Sequence, residues 1–191
     1  MKKTLVTLIS LIPAIACADE VLKTLERAAD AYQAKDFVAA SEEAAYAQEL
    51  LIDLKSGELI KALPKPLEGW TVSQDSEALK AATFISGVGS VVGQTYLRGE
   101  ASIEINLYEP NSPMLAIMEM QMNPAVLQMS PHIKTVRIAG QKGVLSEDDP
   151  GKTLMFKTRS GHMLELKSEG VDMDTIEIYV EAVKFDLIQN I

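Results

Sequence analysis

The sequence is poor in the side chains that carry most covalent and metal chemistry. Among 191 residues there is one cysteine, Cys17, and there are two histidines, His132 and His162. A single thiol cannot form an intramolecular disulfide, and two imidazoles limit both zinc binding and general-base catalysis near neutral pH. The composition therefore excludes a disulfide-stapled fold and indicates neither a cysteine-rich nor a histidine-rich zinc site.

Basic residues are also scarce. The chain has 18 Lys and Arg against 27 Asp and Glu, which gives a formal net charge of −9. Proteins that bind nucleic acids cluster Lys and Arg to neutralise phosphates, whereas the basic residues here are dispersed among carboxylates. We therefore expect no nucleic-acid partner. The hydrophobic content of 47% is sufficient for one domain with a real core and a small helical appendage.

Residues 1 to 18 have the pattern of a secretory signal peptide. A basic start precedes an apolar run over residues 4 to 16, which is shorter than the roughly 20 residues that span a bilayer. The small residues Ala16 and Ala18 favour cleavage before Asp19, which removes two lysines and changes the net charge from −9 to −11. The pattern predicts a periplasmic or secreted protein whose mature chain has no transmembrane segment.

Cys17 offers a second processing route. It directly follows the short apolar run, where a lipid-modified cysteine would lie, although Ala14 occupies the position at which lipoprotein signals usually have leucine. Cleavage before Asp19 removes the only thiol, so the mature protein would lack thiolate chemistry altogether. Lipid attachment at Cys17 would instead make the protein a membrane-anchored lipoprotein. Both routes place the protein outside the cytoplasm.

Residues 19 to 63 are predicted to form a helical hairpin. Apolar and alanine residues recur at helical spacing, no glycine or proline occurs before Gly57, and Asp36 has the chemistry of an N-cap between the helices. The two predicted apolar stripes consist of Val21, Leu22, Leu25, Ala28, Ala29 and Tyr32, and of Ala40, Ala44, Ala47, Leu51 and Leu54.

The same segment resembles a single tetratricopeptide unit. Ala31-Tyr32, Asp36-Phe37, Ala40 and Ala47 fall where that repeat places small and aromatic packing residues. A peptide-binding solenoid needs about three stacked repeats, and no second copy follows in this sequence. The resemblance therefore implies a docking hairpin that can contact a partner protein.

Residues 64 to 191 are predicted to form a separate antiparallel α+β domain. Two prolines and a glycine between Leu63 and Trp70 end the helical region, and the apolar period then changes to two, as in Ile103, Ile105 and Leu107. We predict half-buried strands joined as a hairpin meander, with about six to seven strands. They are placed at residues 70 to 73, 91 to 98, 101 to 108, 133 to 138, 141 to 146, 152 to 158 and 162 to 168.

Two helices are predicted to flank this sheet. The first covers residues 112 to 122 and ends at Asn123-Pro124. The second covers residues 174 to 184 and begins at a sequence that resembles a capping box, Asp174-Thr175-Ile176-Glu177. Its spacing predicts that Ile176, Val180 and Val183 face the sheet.

Three phrases give the chain a family resemblance. Pro64-Lys65-Pro66-Leu67-Glu68-Gly69-Trp70, Tyr96-Leu97-Arg98-Gly99 and Val136-Arg137-Ile138-Ala139-Gly140-Gln141-Lys142 resemble a family of small exported bacterial proteins of unknown function. The predicted architecture is similar to the PsbP-like α/β/α sandwich. These resemblances imply a fold and an export route, but they imply no activity, cofactor or site residue.

Methionine is the most unusual feature of the second domain. Eight of the nine methionines lie from Met114 onward, and Met114, Met118 and Met122 share a helix face at spacings of four. Thioethers bind soft cations such as Cu(I) and Ag(I), and His132 follows closely enough to join them. Methionine also fills irregular core gaps, so the alternative interpretation is that this face packs on the sheet.

Three other motifs in the sequence predict structural roles. The run from Ser86 to Gly93 has the spacing GxGxxxG and no P-loop lysine, so it predicts a flexible loop entering a strand. His162 shares strand parity with Leu164 and is expected at the inner rim of the sheet. Asp148-Asp149-Pro150-Gly151 is expected to form a turn.

No catalytic constellation emerges from these patterns, and no cofactor is predicted. We therefore expect an exported, non-enzymatic accessory or binding protein of the bacterial envelope, with an envelope protein as its candidate partner. The alternative is periplasmic binding of Cu(I) or Ag(I) through Met114, Met118, Met122 and His132. A hydrolase without a recognisable motif is a third hypothesis.

Overall fold

The computed structural model describes residues 13 to 73, 91 to 110, 112 to 148 and 151 to 190, and side chains are described within these ranges except at residues 13 to 18 and 148. The chain forms two compact units, Met1–Lys55 and Ser56–Ile191. This division precedes the predicted boundary after Leu63. Its physical reason is that Leu59, Ala62 and Leu63 are buried in the hydrophobic core of the second unit.

A helical pair dominates the first unit, as the sequence predicts. Helix α1 is Pro13–Gln33 and helix α2 is Phe37–Ile60, whose last turn belongs to the second unit. The predicted N-cap is confirmed, because the Asp36 carboxylate accepts a hydrogen bond of 3.1 Å from the Ala39 N–H.

Two contacts show that the helices of this pair run antiparallel. Near the loop, the rings of Tyr32 and Phe37 meet edge to face with centroids 5.9 Å apart. Farther from the loop on both helices, Arg27 Nε donates a 2.8 Å hydrogen bond to Glu43 Oε2. Such nested contacts occur only when the second helix returns alongside the first.

The second unit contains a seven-stranded antiparallel sheet, so the predicted α+β class is confirmed. Its strands are β1 Thr71–Val72, β2 Val91–Arg98, β3 Ala101–Tyr108, β4 Ile133–Ile138, β5 Gln141–Asp148, β6 Gly151–Lys157 and β7 Met163–Glu169. Their order across the sheet is β1-β2-β3-β7-β6-β5-β4. Most predicted strand bounds agree with these to within one or two residues.

The hairpin meander is interrupted once. Strands β4 to β7 follow one another across the sheet, but β3 pairs with β7 rather than with β4. The chain crosses to the opposite edge of the sheet through helices α3 Pro113–Gln121 and α4 Pro124–Met129. The sequence pattern predicted α3 but not α4, at whose start the Asn123 side chain accepts a hydrogen bond from the Ala125 N–H.

Two short helices end the described chain, α5 Met173–Glu181 and α6 Phe185–Gln189. The predicted capping box at residue 174 is wrong in position, because Asp172 is the N-cap and accepts a 2.7 Å hydrogen bond from the Thr175 N–H. The helix also ends earlier than predicted, at residue 181 instead of residue 184. Ile176, Val180 and Val183 are buried in the core, as predicted.

The larger core lies on the sheet face that carries Ile103, Ile105 and Leu107. Tyr179 of α5 is central to it, with its ring 4.7 Å from that of Tyr96 and 5.5 Å from that of Trp70. The Tyr96 hydroxyl donates a 2.6 Å hydrogen bond to the Pro64 carbonyl, so the proline-rich segment packs on this face. Burial raises the pKa of Tyr96 far above its usual value, which keeps the hydroxyl a neutral donor.

The opposite face of the sheet is also covered over part of its area, which corrects the prediction of half-buried strands. Tyr108 and Met163, whose side chains point away from the larger core, are buried under α3 in a second cluster. Asn106 and Glu165 on the same face are buried as well. Helices therefore lie on both faces of the sheet.

Candidate functional site

Five methionines meet on the second face of the sheet. We call the hydrophobic cluster that contains them the methionine cluster. Its buried members are Val91, Tyr108, Leu115, Met118, Met155 and Met163, and the partly buried Met114 and Met122 pack against it. Five of its eight members are therefore methionines, each of which carries a thioether sulfur.

Helical spacing explains the contribution of α3 to the methionine cluster. Met114, Met118 and Met122 are separated by four residues, so they project from one side of the helix and its C-cap. Pro113 occupies the first turn of α3, where its missing N–H leaves no helical hydrogen bond unmade. The predicted methionine face is therefore the face that packs on the sheet, whereas Met120 is 63% exposed.

The other two methionines of the cluster lie on paired strands of the sheet. Met163 of β7 lies opposite Tyr108 of β3, and Met155 of β6 lies opposite Glu165 of β7. Because side chains alternate between faces along a strand, these four share the face that α3 covers. Neither Met155 nor Met163 was predicted as a site residue, although the alternation of side chains in β6 and β7 places both on the face of the sheet opposite to Leu154 and Leu164.

A polar row adjoins the methionine cluster on the same face, and it consists of Glu104, Asn106, Glu165 and Lys167. Glu165 is only 8% exposed, and its Oε2 accepts a 2.9 Å hydrogen bond from the Tyr108 hydroxyl. Lys167 Nζ lies 3.0 Å from the same oxygen. Burial, followed by the nearby Glu165 charge, raises the pKa of Tyr108 far above its usual value, so the hydroxyl remains a donor.

Asn106 is the most unusual member of the polar row. Its side chain is almost fully buried, and its Nδ2 donates a 2.8 Å hydrogen bond to Glu104 Oε1. Its Oδ1 is buried and has no hydrogen-bond partner among the residues that the structure describes. A buried carbonyl oxygen left in this way costs about 1–3 kcal/mol. The carbonyl therefore offers an acceptor to a donor or a cation.

The structure does not bring His132 into the methionine cluster. The His132 side chain is exposed. His132 directly precedes β4, and its backbone carbonyl accepts a hydrogen bond from the N–H of Glu147 in β5. Met129, at the end of α4, is 84% exposed. Of the four predicted metal ligands, the cluster thus includes Met114, Met118 and Met122 only.

The other residues singled out in the sequence have structural surroundings or lie outside the described ranges. His162 is buried at the end of the β6–β7 hairpin, with Nδ1 2.9 Å from Ser160 Oγ, which agrees with its predicted place at the rim. Residues 86 to 90 of the glycine run and residues 149 to 150 of the acidic turn lie outside the described residues, as do the side chains of the processing residues Ala16, Cys17 and Ala18.

The helical pair presents a different kind of surface. Tyr32, Phe37 and Val38 lie at its loop end, and we call these three residues the apolar tip. Their exposed fractions are 66%, 63% and 69%. Four further large apolar side chains of the pair are exposed by between 44% and 57%, namely Leu22, Leu25, Tyr46 and Leu51.

Within the described ranges, no helix is long and apolar enough to cross a membrane. The same ranges contain no group of three or more His, Cys, Asp or Glu side chains arranged to hold a metal ion. No protein-family model, curated protein or solved structure matches the chain.

Proposed function

We propose that this chain is an exported, non-enzymatic accessory protein that binds another protein of the bacterial envelope through its helical pair. The observation that carries this proposal is the apolar tip, where the rings of Tyr32 and Phe37 contact each other edge to face while both remain mostly exposed. Groups of exposed apolar side chains rimmed by polar residues often mark sites that contact a partner protein. Aromatic side chains also provide much of the binding energy in protein interfaces.

The net charge of the helical pair as a whole favours a particular kind of partner. Residues 19 to 55 contain nine Asp and Glu against four Lys and Arg, a net charge of −5. Two of the basic residues, Lys23 and Arg27, already pair with Asp19 and Glu43 of the same unit. The complementary surface is therefore apolar at its centre, with lysines or arginines at its rim.

Affinity capture tests this proposal. Tagged mature protein is used to capture partners from the envelope fraction of its own organism, beside a Tyr32→Ser/Phe37→Ser double variant. The matched control is Ile178→Ser/Leu187→Ser, which removes two exposed apolar side chains from the other unit. We expect the wild type and the control to retain the same protein, and the apolar-tip variant to retain about ten-fold less of it.

Two outcomes would contradict the proposal. One is equal retention of the captured protein by the apolar-tip variant, and the other is repeated failure to retain any envelope protein. Turnover of ester, phosphoester, glycoside or peptide substrates that one substitution abolishes would refute the non-enzymatic part.

A second candidate function is soft-metal binding in the periplasm through the methionine-rich helix α3. The observation that favours it is that Met114, Met118 and Met122 meet in one cluster rather than scattering over the surface. Neutral thioethers suit Cu(I) and Ag(I). Equilibrium titration with Cu(I) tests this function, and binding weaker than about 1 μM would contradict it.

A further inference from the structure

We propose that the soft-cation site is formed by the whole methionine cluster, with Met155 of β6 and Met163 of β7 as ligands in place of His132. This inference rests on the second proposed function, because it concerns which residues bind a cation such as Cu(I) or Ag(I). Its first support is the way methionine is distributed between the two cores.

The two hydrophobic cores differ sharply in methionine content. In the part of the chain that the structure describes, the larger core has 22 buried members and six partly buried ones, and Met173 is its one methionine. The methionine cluster has eight members, of which five are methionines. If methionine served only to fill gaps, both faces of the same sheet would use it. The thioethers are instead concentrated on one face.

The five sulfur-bearing side chains also come from different directions. Met114, Met118 and Met122 descend from α3 and its C-cap, whereas Met155 and Met163 rise from two paired strands. Ligands that converge from a helix and a sheet can surround a cation, which a single helix face cannot do. Methionine has three rotatable side-chain bonds, so small rotamer changes can bring the sulfur atoms to a common point.

Oxygen acceptors lie next to the methionine cluster. Glu165 lies opposite Met155 in the sheet, and its carboxylate hydrogen-bonds to Tyr108, a member of the cluster. Lys167 Nζ lies 3.0 Å from this carboxylate and offsets its charge, and Lys157, which lies opposite Met163, is paired with Glu119. The unpartnered Oδ1 of Asn106 adds a negative dipole end on the same face.

The partly buried methionines provide an entry route for the ion. Met163 is fully buried and Met118 and Met155 are each 3% exposed, whereas Met114 and Met122 reach the surface. A cation first bound by the two outer thioethers can move inward by ligand exchange without any group losing a proton, since thioethers are neutral. We therefore expect the outer pair to control the rate of binding and the inner methionines to determine affinity.

The test combines two measurements on the mature protein. First, the protein is labelled with ¹³C at the methionine methyl groups and titrated with Ag(I). We expect the methyl signals of Met114, Met118, Met122, Met155 and Met163 to shift together, while those of Met120 and Met129 stay in place. Second, Cu(I) affinity is measured by competition with a chromophoric chelator under a thiol-free reductant.

The variants for the affinity measurement are matched in size. We expect Met155→Leu/Met163→Leu to weaken Cu(I) binding by about ten-fold or more, because leucine conserves volume but has no donor atom. Met120→Leu/Met129→Leu removes two exposed thioethers, and His132→Ala removes the predicted imidazole. Both are expected to leave the affinity within about two-fold of the wild type.

The outcomes separate this inference from the function on which it rests. Binding with shifts confined to Met114, Met118 and Met122, and with full affinity in Met155→Leu/Met163→Leu, would overturn the inference and leave the second function standing. Binding weaker than about 1 μM by the wild type would overturn both. The methyl shifts of the wild-type protein show which methionines bind the ion, even where a variant folds poorly.

Discussion

At the scale of single residues, Gly143 in β5 has no space for a side chain. A Cβ atom built there would lie 2.5 Å from Phe156 Cδ1 and 2.6 Å from the Met155 carbonyl oxygen. The Phe156 ring is fully buried, so it cannot move aside without disturbing the core. We predict that Gly143→Ala lowers the free energy of unfolding by about 1–3 kcal/mol, measured by urea denaturation.

Gly57 provides the matched control for this prediction. It lies inside α2, and a Cβ there would meet no atom within 4 Å. Gly57→Ala is therefore expected to stabilise the protein by about 0.5–1 kcal/mol, since alanine favours the helix. A Gly143→Ala protein as stable as the wild type would show that β5 and β6 separate at little cost.

Residue-level prediction from the sequence succeeded where the controlling interaction is local. Asp36 caps the helix that directly follows it, and the spacing of Ile176 and Val180 already defined the buried side of α5. The burial of Asn106 and Glu165 was not predicted, because polar residues that alternate with apolar ones along a strand indicate an exposed face. Their burial depends on what covers the second face of the sheet, which strand periodicity does not reveal.

At the scale of elements, the N-cap of α5 makes the stability of the protein depend on pH. The Thr175 N–H donates to the Asp172 carboxylate and lowers its pKa below the usual value. The folded state therefore binds fewer protons than the unfolded chain, and the stabilisation is present above about pH 4 and is lost as pH falls through the folded pKa. We predict that the stability difference between wild type and Asp172→Ala shrinks below this pH.

Thermal unfolding at neutral and acidic pH measures this effect. Asp172→Asn is the control, because asparagine is an equally good N-cap and does not titrate. The difference in stability between Asp172→Asn and Asp172→Ala should be the same at both pH values. A difference between wild type and Asp172→Ala that persists unchanged in acid would mean that the charge of Asp172 contributes nothing to capping.

The elements themselves were predictable to the extent that they are joined locally. The β4–β5 hairpin turns at Ala139-Gly140, where both residues have positive φ, as its short loop requires. The pairing of β3 with β7 was missed, because it joins strands that are distant in sequence. The misplaced N-cap has a simpler cause, since Asp172 and Asp174 both have the right chemistry and only the backbone geometry distinguishes them.

At the scale of the whole molecule, the end of α2 and the turn that follows it belong with the sheet rather than with the helical pair. Leu59 and Ala62 are fully buried and Leu63 is 5% exposed within the larger core. The Lys184 N–H also donates a 2.9 Å hydrogen bond to the Ala62 carbonyl, which ties this turn to the segment between α5 and α6. The prolines that marked the predicted boundary therefore follow the start of the second unit instead of preceding it.

Two fragments test this assignment of the α2 end. A fragment of residues 56 to 191 retains the whole core of the second unit, so we predict that it unfolds cooperatively in urea. A fragment of residues 64 to 191 lacks Leu59, Ala62 and Leu63 and should lose about 3–6 kcal/mol, from two buried leucines alone. That loss is comparable to the total stability of a typical domain, about 5–15 kcal/mol. Equal urea midpoints for the two fragments would show that residues 56 to 63 contribute nothing to this core, whereas the predicted difference would place the start of the folding unit before residue 64.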